Sequence, residues 1–242
     1  MSTEFIKCFI LILSLLLLYF LSHTSKVETF SSEPYRALFF IHIPKNAGST
    51  INVIFKKHLG MDMGRNYFLN KHQKYSDIKK KYKISLHHIP PKYFEDSSPY
   101  QNKELFCIVR NPYTRMISEY KYYQDYYKTC EKITPQGLNK FIQKIPKLQK
   151  KNPWIYDGHL IPQSVYVEGI DIKEENILKF ERLEEDFEKL KTRYQMPDLK
   201  LTHHRKSPGK LDVSDYTPES IDIINNIYSS DFTKFNYSIK KK

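Results

Sequence analysis

Two nearly continuous apolar runs, Ala37 to Ile43 and Leu105 to Val109, stand out along the chain, and a shorter patch at 176–180 has the same character. Runs of this length predict strands buried on both faces. Between and after them the apolar positions recur at helical spacing, beginning with Ile51, Ile54 and Phe55. This predicts helices near 49–58, 113–127, 136–145, 181–194 and 218–228. Strands that alternate with helices define an α/β fold with a central parallel sheet, in which ligands bind beyond the C-terminal ends of the strands. No internal repeat is present.

The N-terminal tip has a different pattern. Phe9 to Leu21 is apolar apart from one serine, with Lys7 before it and polar residues from Ser22 onward. The run is short for a span of about 20 residues but suits a thin early-secretory membrane. It predicts an uncleaved type II signal-anchor over residues 1–22, with Lys7 on the cytoplasmic side. A cleaved signal peptide is the competing reading, and either one delivers the remainder to the secretory lumen. Residues 23–35 are polar and aperiodic and predict a stem, which leaves 36–242 as one catalytic domain.

The joins between strands and helices carry the chemistry. After the first strand, Pro44-Lys45-Asn46-Ala47-Gly48 turns into a helix that starts at Ser49-Thr50. Free amides at a helix N-terminus, the positive end of its dipole, a lysine and two hydroxyls converge there on one small volume, which fits a phosphate or sulfate. The Walker order, with lysine after the glycine-rich turn, is not met because Lys45 precedes Gly48. Together with the lack of a strand-end carboxylate for a metal, this argues against a nucleotide-dependent kinase. After the second strand, Arg110 is followed by Pro112, which suits a helix start. Ser118, eight residues beyond Arg110, lies a little over two turns along. A guanidinium and a hydroxyl so placed can hold a second phosphate.

These two segments together resemble the membrane-anchored carbohydrate sulfotransferases that use 3'-phosphoadenosine 5'-phosphosulfate (PAPS), whose first motif reads His-Ile-Pro-Lys-x-x-Gly-[Ser/Thr]-[Ser/Thr]. Later blocks beginning at Asp157, Ile177 and Ile227 are similar to the same family, so the resemblance covers roughly residues 36–238. It implies a P-loop-like three-layer fold, with the 5'-phosphosulfate on Lys45, Asn46, Ala47, Gly48, Ser49 and Thr50 and the 3'-phosphate on Arg110 and Ser118. Lys45 would follow charge on the bridging and sulfuryl oxygens. The segment Ile84 to Phe94 resembles that of uronyl 2-O-sulfotransferases, in which a histidine six residues before Phe is the base. His88 and Phe94 keep that spacing, and an imidazole titrates near neutral pH. His159 is the alternative base or an acceptor-binding residue, and Gln163 is expected to help bind the acceptor.

The resemblance implies transfer of a sulfuryl group from PAPS to a hydroxyl of a glycan, in the Golgi or another secretory membrane with the domain luminal. A catalytically inactive, membrane-anchored glycan- or nucleotide-binding protein is the alternative. Acceptor choice would lie in loops such as 60–75, 91–103 and 128–160. The formal net charge of +12 suits an anionic donor and an anionic glycan. The basic residues are dispersed, and together with the membrane run this argues against nucleic acid. Oligomeric state is not legible in the sequence.

Three cysteines give no disulfide framework: Cys8 lies in the apolar tip, Cys107 reads as a core residue, and a Cys107–Cys130 bridge stays open. No metal is expected, since no zinc spacing occurs and the adjacent pairs His87-His88 and His203-His204 would point apart on a regular element. Arg115 is placed to reach solvent, Glu119 or the nucleotide, and the basic turn Arg205 to Gly209 to close over the nucleotide.

Overall fold

The computed structural model describes residues 33–126, 132–201 and 210–241. Three parallel strands, β1 (Leu38–Ile41), β2 (Glu104–Val109) and β3 (Ile177–Lys179), form a sheet in the order β1-β2-β3. Phe40 pairs with Phe106, and Ile108 with Leu178. Every residue of β1 is buried, as its unbroken apolar character requires. β1 and β3 are a little shorter than their apolar runs, because 3-10 turns take Ala37, Asn176 and Phe180 and the chain leaves the sheet after Ile41, whereas β2 starts one residue before its run, at Glu104.

The helices follow the sequence pattern. α1 (Gly48–Leu59) leaves β1, α4 (Pro112–Tyr126) leaves β2 and α6 (Leu183–Arg193) follows β3. Two short helices, α2 (Arg65–Asn70) and α3 (Ser76–Tyr82), lie between α1 and β2, in a region that reads as loop because each is under two turns long and too short to show a helical period. α5 (Pro135–Lys151) starts at Thr134, whose side chain accepts from the Gly137 amide, and runs through Pro146 instead of stopping before it. A proline there removes one backbone bond, while the buried face Leu138, Phe141, Ile142 and Ile145 holds the helix in place. α7 (Pro218–Ile227), capped by Thr217, and α8 (Ser229–Lys234) complete the chain.

Two apolar clusters hold these elements. One surrounds the sheet and includes Phe40, Phe55, Phe106 and Phe187; the other is helical and joins α4, α5, α7 and α8 through Tyr113, Met116, Ile142, Ile224 and Phe232. Tyr35, placed in the stem by its sequence, is 6% exposed in the first cluster, so the domain begins at or before the turn Pro34–Ala37. Cys107 is a buried free thiol, and burial pushes its pKa up. Cys130, His203-His204 and the turn Arg205 to Gly209 lie outside the described residues, as does the apolar tip. Among the described residues no helix is long and apolar enough to cross a membrane.

Candidate active site

All three strands deliver residues to one crevice at their C-terminal ends. From β1 comes the loop Pro44–Ala47, in which Lys45 and Ala47 both take positive φ, at 70° and 61°. Left-handed residues turn successive amides toward one side of the chain and make an anion-binding concavity. The amides of Ala47, Gly48 and Ser49 donate no hydrogen bond among the described residues, whereas those of Thr50 and Ile51 return to the Ala47 carbonyl. Ser49 is exposed and Thr50 half-buried at the mouth of this turn. The Lys45 ammonium lies over the Tyr122 ring, 3.8 Å from its centroid.

Asn46 does not present its side chain to this cradle. It is fully buried, and its Nδ2 donates to the Ile108 carbonyl at 2.8 Å and to Gln163 Oε1 at 2.6 Å. Gln163 is equally buried. Its Oε1 also accepts from the Arg110 amide, and its Nε2 donates to the Arg110 carbonyl and to Asp231 Oδ2. The geometry corrects the expectation of an acceptor-binding Gln163: with every amide atom engaged inside the protein, it is a strut between the ends of β1 and β2. Asp231 anchors it from α8, accepting also from the backbone amides of Gln163 and Ser164.

From β2, Arg110 enters the crevice with its guanidinium 4.0 Å from the centroid of the Phe180 ring, just beyond β3. Its Nε donates to Thr114 Oγ1 at 3.0 Å and Nη1 to the Lys45 carbonyl at 3.4 Å. Thr114 and Ser118 are one helical turn apart and share a face of α4. The Arg110–Thr114 bond therefore aims the guanidinium along the face where Ser118 offers a hydroxyl. Burial lowers the Arg110 pKa to about 10, with Glu181 opposing the shift. A cation disfavoured by desolvation gains most from an incoming anion.

Arg115, in contrast, does not reach solvent, and of the partners open to it from the sequence it lies near Glu119, whose carboxyl it helps to hold ionised. It is 1% exposed; its Nε donates to the Pro44 carbonyl at 3.2 Å and Nη2 to the His159 carbonyl at 2.7 Å. It clamps the β1 loop to the segment that carries His159.

Four histidines meet beside the cradle. His42 lies against Gly48, where a Cβ would come within 2.4 Å of its ring, so this position has no room for a side chain. His42 and His88 have ring centroids 5.2 Å apart, and His88 and His159 are 4.8 Å apart. His159 in turn stacks near Tyr122, the ring that carries Lys45. His87 and His88 do not point apart: their rings are 4.0 Å from each other, because they sit on an irregular 3-10 turn, Leu86–His88, that folds both against His42.

The tautomer of His88 follows from its partners. Nδ1 lies 3.0 Å from the Asp157 carbonyl and 2.9 Å from Asp157 Oδ2, two groups that accept. Nδ1 must therefore carry the proton, and Nε2 keeps its lone pair. Burial lowers the His88 pKa against the opposing pull of Asp157, which favours the neutral imidazole that a base requires. Burial works against the Asp157 charge as well, but bonds from His88 and the Ser85 amide outweigh it and bring its pKa down to about 2. Asp157 takes a left-handed backbone, φ 58°, between Tyr156 and Gly158, which also have positive φ. A sharp turn held at some cost of about 1–3 kcal/mol per residue places this carboxylate. His159 is built alike, its Nδ1 2.9 Å from Glu119 Oε2. Burial would raise the Glu119 pKa, but His159, Lys45 and Arg115 lower it overall.

These shifts predict how stability depends on pH. His42, His87 and His88 all have lowered pKa values, chiefly through burial. The unfolded chain protonates them near 6.5, so it binds more protons than the folded chain just below that pH and stability falls as pH falls. Glu119 and Asp157, both depressed, add a further loss as pH drops below the ordinary carboxylate range. Thermal melts should show a plateau above about pH 7 and a declining midpoint from about 6.5 downward. A midpoint unchanged between pH 7 and 5 would contradict the burial of these imidazoles.

A cradle of unpaired amides with a lysine, a second cation at the next strand end and a neutral imidazole oriented by a carboxylate suit transfer of an anionic group to an oxygen nucleophile. The chain belongs to the sulfotransferase family, whose family model matches residues 28–238, and sulfuryl transfer is the chemistry of that family. Neither the curated proteins nor the solved structures contain a match. Sequence reading singled out Lys45, Gly48, Arg110, Ser118, His88 and His159, which lie around one crevice, but not His42, Thr114, Glu119, Asp157 or Asp231. Asp157 and Asp231 lie inside blocks that resemble the family, which was the signal available for them.

Proposed function

We propose that this protein transfers the sulfuryl group of PAPS to a hydroxyl of a carbohydrate acceptor. The observation that carries the reading is the spacing of two anion sites on adjacent strand ends, the Lys45–Thr50 cradle and the Arg110/Ser118 face, with the His88–Asp157 pair beside the first. A donor with a 5'-phosphosulfate and a 3'-phosphate matches both. The amides of Ala47 to Ser49 and the Lys45 ammonium bind the 5' end and stabilise charge on the sulfuryl oxygens and the departing phosphate. His88 Nε2 takes the acceptor proton as the acceptor oxygen bonds to sulfur and the bridging S–O bond breaks, its electron pair leaving with the phosphate. Asp157 holds the imidazole in the required tautomer and balances the charge it acquires. His159, paired with Glu119, lines the acceptor side of His88.

In this reading residues 1–22 anchor the chain in a Golgi or other secretory membrane as a single-pass type II protein, the residues from 23 to the turn at Pro34–Ala37 form a stem, and the catalytic domain is luminal. The apolar run Phe9 to Leu21 and the preceding Lys7 support that arrangement. The net charge of +12 supports an anionic glycan as acceptor.

Calorimetric titration with 3'-phosphoadenosine 5'-phosphate, beside the same nucleotide without its 3'-phosphate, tests the donor. Tight binding of only the 3'-phosphorylated form is expected. Arg110→Ala should weaken it by about 10–100-fold, the loss of a charge-assisted hydrogen bond, and leave affinity for the second nucleotide little changed. Equal affinity for both nucleotides would sink the assignment of Arg110 and Ser118.

A further inference from the structure

The imidazoles of His42, His87 and His88 form a cluster that acid–base chemistry does not use up. The reaction needs one base, yet three rings each bring a ligand nitrogen to within 4.8 Å of the others. His87 is the clearest anomaly: its ring nitrogens make no hydrogen bond among the described residues, although it packs against both other rings. Its neighbours each have a polar partner on Nδ1, as metal-binding histidines generally have on the nitrogen that does not take the ion. For His88 that partner is Asp157.

For His42 it is Asn52, whose amide nitrogen lies 3.3 Å from His42 Nδ1 and whose Oδ1 is buried without a partner. A half-turn of that amide places Oδ1 against Nδ1, where it accepts a hydrogen bond from the ring and leaves the Nε2 lone pair available to an ion. Gly48, by lacking a side chain, leaves room for the His42 ring beside the loop. Nitrogen-only ligation excludes calcium and magnesium, which take oxygen, and fits a tetrahedral late first-row ion with water as the fourth ligand. Bonds of about 2.0–2.1 Å need nitrogens about 3.4 Å apart, so side-chain rotations that close each pair by no more than about 1.4 Å complete the site.

We propose that His42, His87 and His88 bind a divalent cation of the zinc class, and that filling this site removes His88 from catalysis. One lone pair on His88 Nε2 serves either the ion or the acceptor proton. The ion then opposes acceptor turnover and leaves donor binding intact. This second half rests on His88 being the transferase base.

The test begins with purified chain stripped by a chelator that is then removed. Titration with Co²⁺ should give visible bands of a tetrahedral site at one ion per chain, displaced by Zn²⁺. His87→Ala should weaken binding by at least about tenfold, and Asn52→Leu by about tenfold, the range for a partner that orients a ligand. His87 makes no hydrogen bond among the described residues, so its variant is expected to keep the fold, which a thermal melt verifies. Absence of the bands, or binding unchanged in His87→Ala, overturns the site. Zn²⁺ should suppress transfer in the parent chain, reversibly on chelation, at the concentration that fills the site, and His87→Ala should resist it. Inhibition equal in both overturns the inhibitory role. A chain that shows the cobalt bands but no transfer in metal-free buffer supports the site and counts against the transferase base.

Discussion

Replacement of His88 by alanine is expected to lower the transfer rate by about 10²–10⁴-fold, the contribution of a positioned general base, and to leave binding of 3'-phosphoadenosine 5'-phosphate within about twofold. The separation follows from the geometry. His88 reaches the cradle through the rings of His42 and His159, whereas Lys45, the Ala47–Ser49 amides and Arg110, the groups proposed to meet the donor, lie at the strand ends. His88→Asn, which keeps a donor toward Asp157 but has no basic nitrogen, should be as inactive as alanine. If turnover persists in both, the base is His159, whose Nδ1 is held by Glu119 in the same manner. Single-turnover assays with labelled donor, beside calorimetry, read the two effects apart.

The largest effect on stability is expected at Asp231, which stands behind Gln163. Its buried carboxylate accepts from the Gln163 and Ser164 amides and from Gln163 Nε2, at 2.8 to 3.2 Å. Asp231→Ala strands these donors without water, each at about 1–3 kcal/mol, so a loss of roughly 3–5 kcal/mol in unfolding free energy is expected by denaturant titration. The same variant should also weaken donor binding, because Gln163 holds both Asn46 and the Arg110 backbone. A chain with parental stability and donor affinity would mean that this strut does not support the site.

How far the sequence discloses this molecule depends on the range of the interaction concerned. The strands and principal helices are legible because each announces itself locally, in an apolar run, in Pro112 at a helix start or in Thr217 before Pro218. The cradle is legible for the same reason, since Lys45 to Thr50 are contiguous. Carboxylates that orient the histidines are not, because His88 and Asp157 are 69 positions apart, and Glu119 and His159 are 40 apart. No periodicity reports a partner at that distance. Burial is equally hidden for polar residues. Asn46 and Gln163 have the composition of ligand-binding amides, and only the packing shows them turned inward on each other. His87 and His88 diverge under the alternation of a regular element, a rule with no force on the 3-10 turn where they sit.

The dependence of the donor loop on Asp231 also sets an order of events during biosynthesis. Lys45 is made before Arg110 and Gln163, and the carboxylate that fixes Gln163 is made after all three. Contacts between such distant segments form slowly compared with local helices. A nascent chain can therefore assemble its first strand and helix yet have no organised donor pocket. Competence to bind the proposed donor arises only after residue 231 has been made, and a chain that stops before it should not bind 3'-phosphoadenosine 5'-phosphate.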